Sequence, residues 1–507
     1  MAKNLEIVLK IIVLLFLLIH SETPCQSPQC MFDTIGEAGE QHPAYYLFHN
    51  PAFLNYDADE ELLYIRSTYN STSGDFKPFI AAGQVEYSRL GVSGKKRIGD
   101  SQIFRGSFGF QQLVRDDWNW LATKDARFGM PFLLGDSTSG KTRYNGIAMT
   151  AEYWRRLCTR FNVGVSLAYY VDEGLKQVSP KPTSKHRDIA FSTGFGYLLA
   201  SNLTAGAVFQ INDNIEEIYY REDKAALYQE THLYKFRGYD LPLEFNKKTE
   251  SRNACFDEYA AHGSLTYKGA HGNSIAIHAG SGVQQVDIHD NLNVPQPEGY
   301  WQNRIYESGF QAYWGLLRGI SMGLKYRYFS ESMWARQPLF DVVISETDIP
   351  SSDYAAGIDC ELNSKMRLSC EGGLVVSKID YRDYYSQIDW RADRRKWQTR
   401  FGIDIRWRDG LQSFLSYGFG KMNVSDESVS RQMITPVSVL RSKDITYYLT
   451  DSVGHRINLM ISVRTASLGT FRLHATYRTV QPQHSDIFRD TFRQELFMTL
   501  ELLARVF

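Results

Sequence analysis

Charged side chains recur at every second residue in several segments where chemistry could occur. Lys325 and Arg327, Asp359 and Glu361, Arg367 and Glu371, Asp404 and Arg406, then Arg464, Arg472, His474 and Arg478 each share one parity within their segment. Neutral polar residues such as Asn458, Ser462 and Thr476 join them, while large apolar residues hold the other parity. Seven of these candidates are basic and four acidic. An Arg or Lys facing lipid at mid-depth would cost about 2–4 kcal/mol, so such a wall implies water beside it. Two chemistries follow. A cationic excess in a pore favours anionic solutes. Alternatively, opposite charges pair across neighbouring strands and close the interior.

Other reactive residues form no recognisable machinery. His262, His278, His289, His455 and His474 show no ligand spacing, and no Gly-x-Ser-x-Gly nucleophile motif occurs, so neither an enzyme, a metal site nor a cofactor is expected. The six cysteines are Cys25, Cys30, Cys158, Cys255, Cys360 and Cys370, without a C-x-x-C pair. Cys360 and Cys370 straddle a tight turn. They could form a cross-strand disulfide, but two small apolar thiols on a hydrophobic face is the plainer reading. Asp116-Asp117-Trp118-Asn119-Trp120 could stack on sugar in an outer loop, or anchor at an interface. The mixed-charge stretch 213–257 reads as a solvated loop able to fold over a mouth.

The elements that would position these residues are strands. The chain has 507 residues, a formal net charge of −1 and 43% hydrophobic residues, which argues against a nucleic-acid binder and against disorder. Ile11 to Ile19 is the one long apolar run, so a polytopic helical membrane protein is excluded. Tyr 31, Phe 29 and Trp 9 accompany 38 glycines, a β-rich profile. Phe161, Val163, Val165, Leu167 and Tyr169 alternate with small or polar residues. So do the odd positions of 401–407, 457–463 and 471–477.

Connections alternate too. Short links near 156–159, 199–202, 269–273, 316–319, 363–365, 408–410 and 465–469 carry turn residues such as Arg408-Asp409-Gly410, Gly269-Ala270-His271-Gly272 and Ser467-Leu468-Gly469. Long polar stretches, among them 112–142, 331–352 and 421–454, separate the resulting hairpins. A transmembrane barrel has short turns on the periplasmic side and long loops outside. The expectation is an all-β, antiparallel up-and-down transmembrane barrel of 14–18 strands. Eighteen segments run from 62–70 to 491–505, each about 10 residues long. Closure is required because lipid offers backbone groups no partner. Trp154, Phe161, Tyr197, Trp314 and Trp407 would form one aromatic girdle; Tyr169, Tyr170, Tyr328, Tyr354, Phe419 and Tyr477 would form the other.

The basic start with Lys3 and Lys10, followed by nine apolar residues, has the form of a signal peptide. The expected organisation is a signal peptide over 1–25, a periplasmic or luminal segment over 26–60 that could plug the pore, and a barrel over 61–507.

The ending Leu-Leu-Ala-Arg-Val-Phe507 resembles the C-terminal signature of outer-membrane barrels. It departs in register: the apolar set Leu496, Met498, Leu500, Leu502, Ala504 and Val506 leaves Arg505 where an apolar residue belongs. Recognition by the barrel assembly machinery would then use a variant signal. Near the start, Asn50-Pro51-Ala52-Phe53-Leu54 resembles the luminal segment that opens FadL-like fatty-acid transporters. The whole layout is similar to uncharacterised outer-membrane barrels of Bacteroidota of about this length. The resemblance implies architecture and a place in the outer membrane of a Gram-negative-type cell, with lipid around the barrel and long loops outside. It brings no substrate, because none of that group's apolar binding residues has a matching motif here. Passage of an unidentified small solute is the leading expectation. A structural part of a surface assembly and a soluble exported multi-sheet binding protein are the alternatives.

Overall fold

The computed structural model describes residues 49–56, 62–220, 233–238, 243–245, 250–269, 273–317, 319–408, 410–430, 436–465 and 469–505. The signal-peptide reading, most of the 26–60 segment, turn residues 270–272, 409 and 466–468, and terminal Phe507 lie outside these.

Alternation builds long strands. In chain order they are β1 (Leu62–Ser73), β2 (Gln84–Ile98), β3 (Gln102–Trp118), β4 (Phe132–Asp136), β5 (Gly140–Arg156), β6 (Phe161–Lys176), β7 (Thr183–Ala200) and β8 (Leu203–Tyr220). Then come β9 (Leu233–Arg237), β10 (Leu243–Phe245), β11 (Glu250–Lys268), β12 (Ser274–Asp290), β13 (Gln296–Leu317), β14 (Ile320–Gln337) and β15 (Val342–Asn363). The last are β16 (Met366–Asp383), β17 (Ile388–Arg408), β18 (Leu411–Ser430), β19 (Asp451–Thr465), β20 (Gly469–Gln483) and β21 (Arg493–Arg505). Eighteen of them form one sheet in which each antiparallel neighbour follows in sequence; β4, β9 and β10 form a separate three-stranded sheet. β1 pairs with both β2 and β21, Ile65 lying opposite Val92 on one side and Leu502 on the other. The barrel is therefore closed, so among the described residues its sheet has no edge strand. Its architecture is that of a transmembrane, outer-membrane-type barrel.

Turn chemistry closes the short links. Gly410 has φ +87°, and a Cβ there would stand 2.8 Å from the Arg464 carbonyl oxygen. Only glycine takes that conformation without strain.

The strands are longer than a membrane crossing requires, and β17 shows why. Its outward side chains run Asp389, Arg391, Asp393 and Arg395, then Trp397, Thr399, Phe401, Ile403, Ile405 and Trp407. Trp397 is 53% exposed, Phe401 58% and Trp407 58%, values no soluble core would allow. Ten residues at about 3.3 Å each, tilted about 40°, span a belt about 25 Å tall. Beyond it, charges take over the outside and apolar Trp390 and Ala392 turn inward, both buried.

Several sequence expectations change on this frame. Trp154 and Tyr170 occupy even positions, so they point inward rather than joining a girdle. Trp154 is fully buried, and the Tyr170 hydroxyl meets Lys124. Trp118 and Trp120 are both buried inside the long-loop end, which presents neither ring to a sugar or to an interface. Cys360 and Cys370 are free, because the register sets Cys360 opposite Leu368 and Cys370 opposite Ile358. Much of the 213–257 "loop" is strand, with Glu216 fully buried on β8.

Chain folds back into the barrel at both ends. At the long-loop end, Trp120, Met130, Phe132, Leu133 and Phe236 pack against inward Phe256, Val286, Ile288, Trp301 and Met333. The helix Pro436–Leu449 sets Ile445 against Ile379, Tyr381, Ile388 and Trp390. Its Asp444 Oδ1 accepts the Phe79 N–H at 2.6 Å. At the short-turn end, a 3-10 turn over Pro51–Tyr56 lies against β5, β6 and β7.

Candidate functional site

The inner wall is where the periodic charges meet. Ladder register places residues of one row side by side, and inward rows join carboxylates to guanidinium groups. Arg327 Nε and Nη2 donate to Glu307 at 2.8 and 3.0 Å in a fork. Arg367 Nη2 donates to Asp359 Oδ2 at 2.7 Å. Arg472 and Arg66 share Glu501, at 3.2 and 2.6 Å. Looser pairs are Arg400–Glu371 at 3.8 Å and Arg478–Glu495 at 3.9 Å. Asp404 accepts both its bonds from Gln412, at 3.0 and 2.8 Å. His474 sits edge-on to Phe497. Lys325 faces Asp353 electrostatically. Glu361, Arg406 and Arg464 are exposed at the short-turn end, where their backbone N–H groups close turns at 2.6 to 2.7 Å. The candidates thus divide into a paired middle and an open rim.

Asn50, Pro51 and Ala52 are built into the opposite wall. Asn50 Oδ1 accepts the Ala52 N–H and Asn50 Nδ2 donates to the Ala207 carbonyl, each at 3.0 Å. Trp154 Nε1 donates to the Ala52 carbonyl at 2.8 Å. Phe53 and Leu54 cluster with Ile103 and Trp154. Glycines make the room. A Cβ at Gly164 would meet the Pro51 carbonyl, one at Gly194 the Asn50 Oδ1, and one at Gly206 the Phe53 ring at 2.5 Å. The two-residue period on β6, β7 and β8 is interrupted there on its inward face alone, a cue that something approaches closely.

A second constellation was not singled out from sequence. Lys124, from the connection between β3 and β4, enters the wall between β6, β7 and β8. Its ammonium contacts Asp172 and donates to the Tyr170 hydroxyl at 2.7 Å, and its backbone N–H donates to Glu216 Oε1 at 2.7 Å. Ser184 Oγ also donates to Glu216, at 2.8 Å, and His186 Nε2 stands 3.2 Å from Asp125 Oδ2. These groups lie beyond the apolar belt. Burial works against a charged His186, but its bond to Asp125 prevails and raises its pKa. Burial would raise that of Asp125; the His186 bond and Lys124 instead bring it well below the usual carboxylate range. Burial, with Asp125 nearby, raises that of Glu216. Farther round, Lys176 bonds Asp136 at 2.8 Å, Arg252 forks onto Asp290, Lys235 reaches Asp290 at 2.6 Å, and Arg237 forks onto Glu298. The small sheet is thereby stapled to the wall by charge as well as grease. Asp172, His186 and Glu216 hold inward parity in the sequence, so periodicity could have found them. Lys124 sits in a connection without period.

The sequence profile of a Family of unknown function (DUF6850) matches residues 51–503. The chain belongs to that family. No curated protein matches it. Solved structures resemble it at the level of fold. They include the siderophore receptor PiuA from Acinetobacter baumannii, 8% identical with a TM-score of 0.43 over 88% of this chain and 82% of that one. The ferric preacinetobactin receptor BauA from the same organism is 10% identical, TM-score 0.44, over 88% and 80%. The alcaligin outer-membrane receptor FauA from Bordetella pertussis is 9% identical, TM-score 0.40, over 87% and 75%. At such distances the likeness says nothing of substrate or mechanism.

Proposed function

We propose that this member of DUF6850 is an outer-membrane barrel that passes a small solute through its lumen, with long loops outside and the inward charges lining the path. The observation that carries the reading is the switch on β17. Outward side chains are apolar from Trp397 to Trp407 and charged from Asp389 to Arg395, while Asp404 and Arg406 keep the opposite parity within the belt. Lipid outside and water inside would produce that partition, and water inside is the precondition for passage. The signal-peptide form of the start and delivery to the assembly machinery belong to the same proposal, as does a non-enzymatic role.

In planar bilayers, the wild-type chain should conduct weakly, because folded-in segments occupy the long-loop end. The pair Lys124→Ala and Glu216→Ala should raise conductance by releasing them. Arg464→Ala with Arg472→Ala should shift selectivity away from anions, since two fixed cations leave the wall. The packed long-loop end favours one second reading: a closed barrel serving as a scaffold in a surface assembly. Silence of both the wild type and the released variant would decide for that reading.

A further inference from the structure

We propose that Lys124 and Asp172 condense into an isopeptide bond, with His186 carrying the protons, so that the connection between β3 and β4 is fixed covalently to β6. The inference goes beyond solute passage and holds for a scaffold as well.

Register builds the wall side of the site. Asp172 on β6 lies opposite His186 on β7, and His186 lies opposite Glu216 on β8, one row of three inward groups. Lys124 reaches that row from the connection. Its main chain is pinned there: the Lys124 N–H donates to Glu216 Oε1 at 2.7 Å, and Ser184 Oγ donates to the same oxygen at 2.8 Å. Its ammonium contacts Asp172 Oδ2, donates to the Tyr170 hydroxyl at 2.7 Å and stands 3.5 Å from His186 Nδ1. The Tyr170 hydroxyl in turn donates to Asp172 Oδ2. The rings of Tyr170 and Tyr144 flank Nζ at 4.4 and 5.7 Å.

Two features separate this pair from an ordinary ion pair. The first is the cost of its charges. Side-chain exposure is 7% at Lys124, 1% at Asp172 and 2% at His186. Asp172 Oδ1 is buried without a hydrogen-bond partner among the described residues. A carboxylate oxygen kept from both water and donors is expensive, and a neutral amide carbonyl is far less so. Condensation removes both charges and expels a water. The second feature is a proton carrier. His186 Nδ1 lies 3.5 Å from the amine and 4.0 Å from Asp172 Oδ2. Asp125 Oδ2, 3.2 Å from Nε2, holds the proton of the neutral ring on that nitrogen and leaves Nδ1 to accept. The buried pair Lys176 and Asp136, 2.8 Å apart, meets the Thr138 carbonyl and the Tyr220 hydroxyl instead.

His186 Nδ1 takes a proton from Nζ and gives it to Asp172 Oδ2, which leaves a neutral amine beside a neutral carboxylic acid. The Nζ lone pair attacks Cγ and forms the new C–N bond. A second Nζ proton follows through His186 to Oδ2, the Cγ–Oδ2 bond breaks, and Oδ2 departs as water. Ammonium and carboxylate thus become one secondary amide with no change in net charge, and His186 ends as it began. The Tyr170 hydroxyl stabilises charge on Oδ2 during the attack. Contact between amine and carboxyl supplies the proximity that condensation needs.

The test is peptide mapping by mass spectrometry of the full chain, extracted from membranes and unfolded before digestion. The wild type should yield a branched peptide joining the segments around Lys124 and Asp172, lighter than their sum by one water. Lys176 and Asp136 should appear in linear peptides of the same digest. Lys124→Arg keeps the charge and should lose the branched peptide. With a protease site placed in the exposed turn 157–160, the cut and boiled wild type should migrate as one joined species, and Lys124→Arg as two fragments. His186→Gln should slow cross-linking after refolding in detergent about tenfold or more. Heat-dependent gel migration reports that each variant is folded. Linear Lys124 and Asp172 peptides from folded wild type, or cross-linking of His186→Gln at the wild-type rate, overturn the proposal.

Discussion

His186 shows how one side chain can hold a segment in place. It faces Asp125 and Lys124 from the incoming connection, Tyr170 and Asp172 from β6, Asp188 on its own strand and Glu216 from β8. Docking raises the His186 pKa above 6.5, so its contribution is full below pH 6.5 and fades as pH climbs through the docked value. Docking lowers that of Asp125, so its contribution is full above pH 3.8 and disappears only in stronger acid. A raised Glu216 favours the acidic side as well. Limited proteolysis of the 119–131 connection should therefore be slower at pH 5.5 than at pH 8, and His186→Ala should shrink the difference to the part that Glu216 supplies. At the opposite end, Trp154→Ala removes a fully buried indole and the bond to Ala52, a loss of about 3–5 kcal/mol. Its heat-modification midpoint should fall accordingly. Sequence alone placed Trp154 in a girdle because an aromatic near a turn suits an interface equally well. Parity with Phe161 and Tyr197 on the neighbouring strands, rather than residue type, decides the matter.

Among the elements, the strands were legible and their far halves were not. One-face alternation accounts for β17 only from 398 to 407, whereas the strand begins at Ile388. The reason is a change of phase: below Trp397 the apolar residues face out, and above it Trp390 and Ala392 face in while Asp389 and Arg391 face out. A period of two that swaps sides reads as a polar loop when only one face is followed. The same inversion hid Glu216 and Asp290, which staple the inserted segments. The helix Pro436–Leu449 escaped because it carries almost no amphipathic period and lies within a long polar stretch. The Phe79 N–H bond to Asp444 ties it to the 76–82 segment. Asp444→Ala should loosen the helix and speed hydrogen exchange over 436–449, with β17 and β18 unchanged.

For the molecule as a whole, the outward partition predicts a labelling map. A cysteine replacing Arg395 should react with a membrane-impermeant maleimide in intact cells, and one replacing Phe401 should resist it. Equal reactivity would remove lipid from the description. The seam between β1 and β21 has a mechanical meaning as well. Asn50 to Tyr56 precede the first strand, yet they lie within the cylinder that β1 and β21 close. A tether lodged against Gly164 and Gly194 therefore ties the stave at the seam to staves four and five places round the wall, like a hoop set inside a cask.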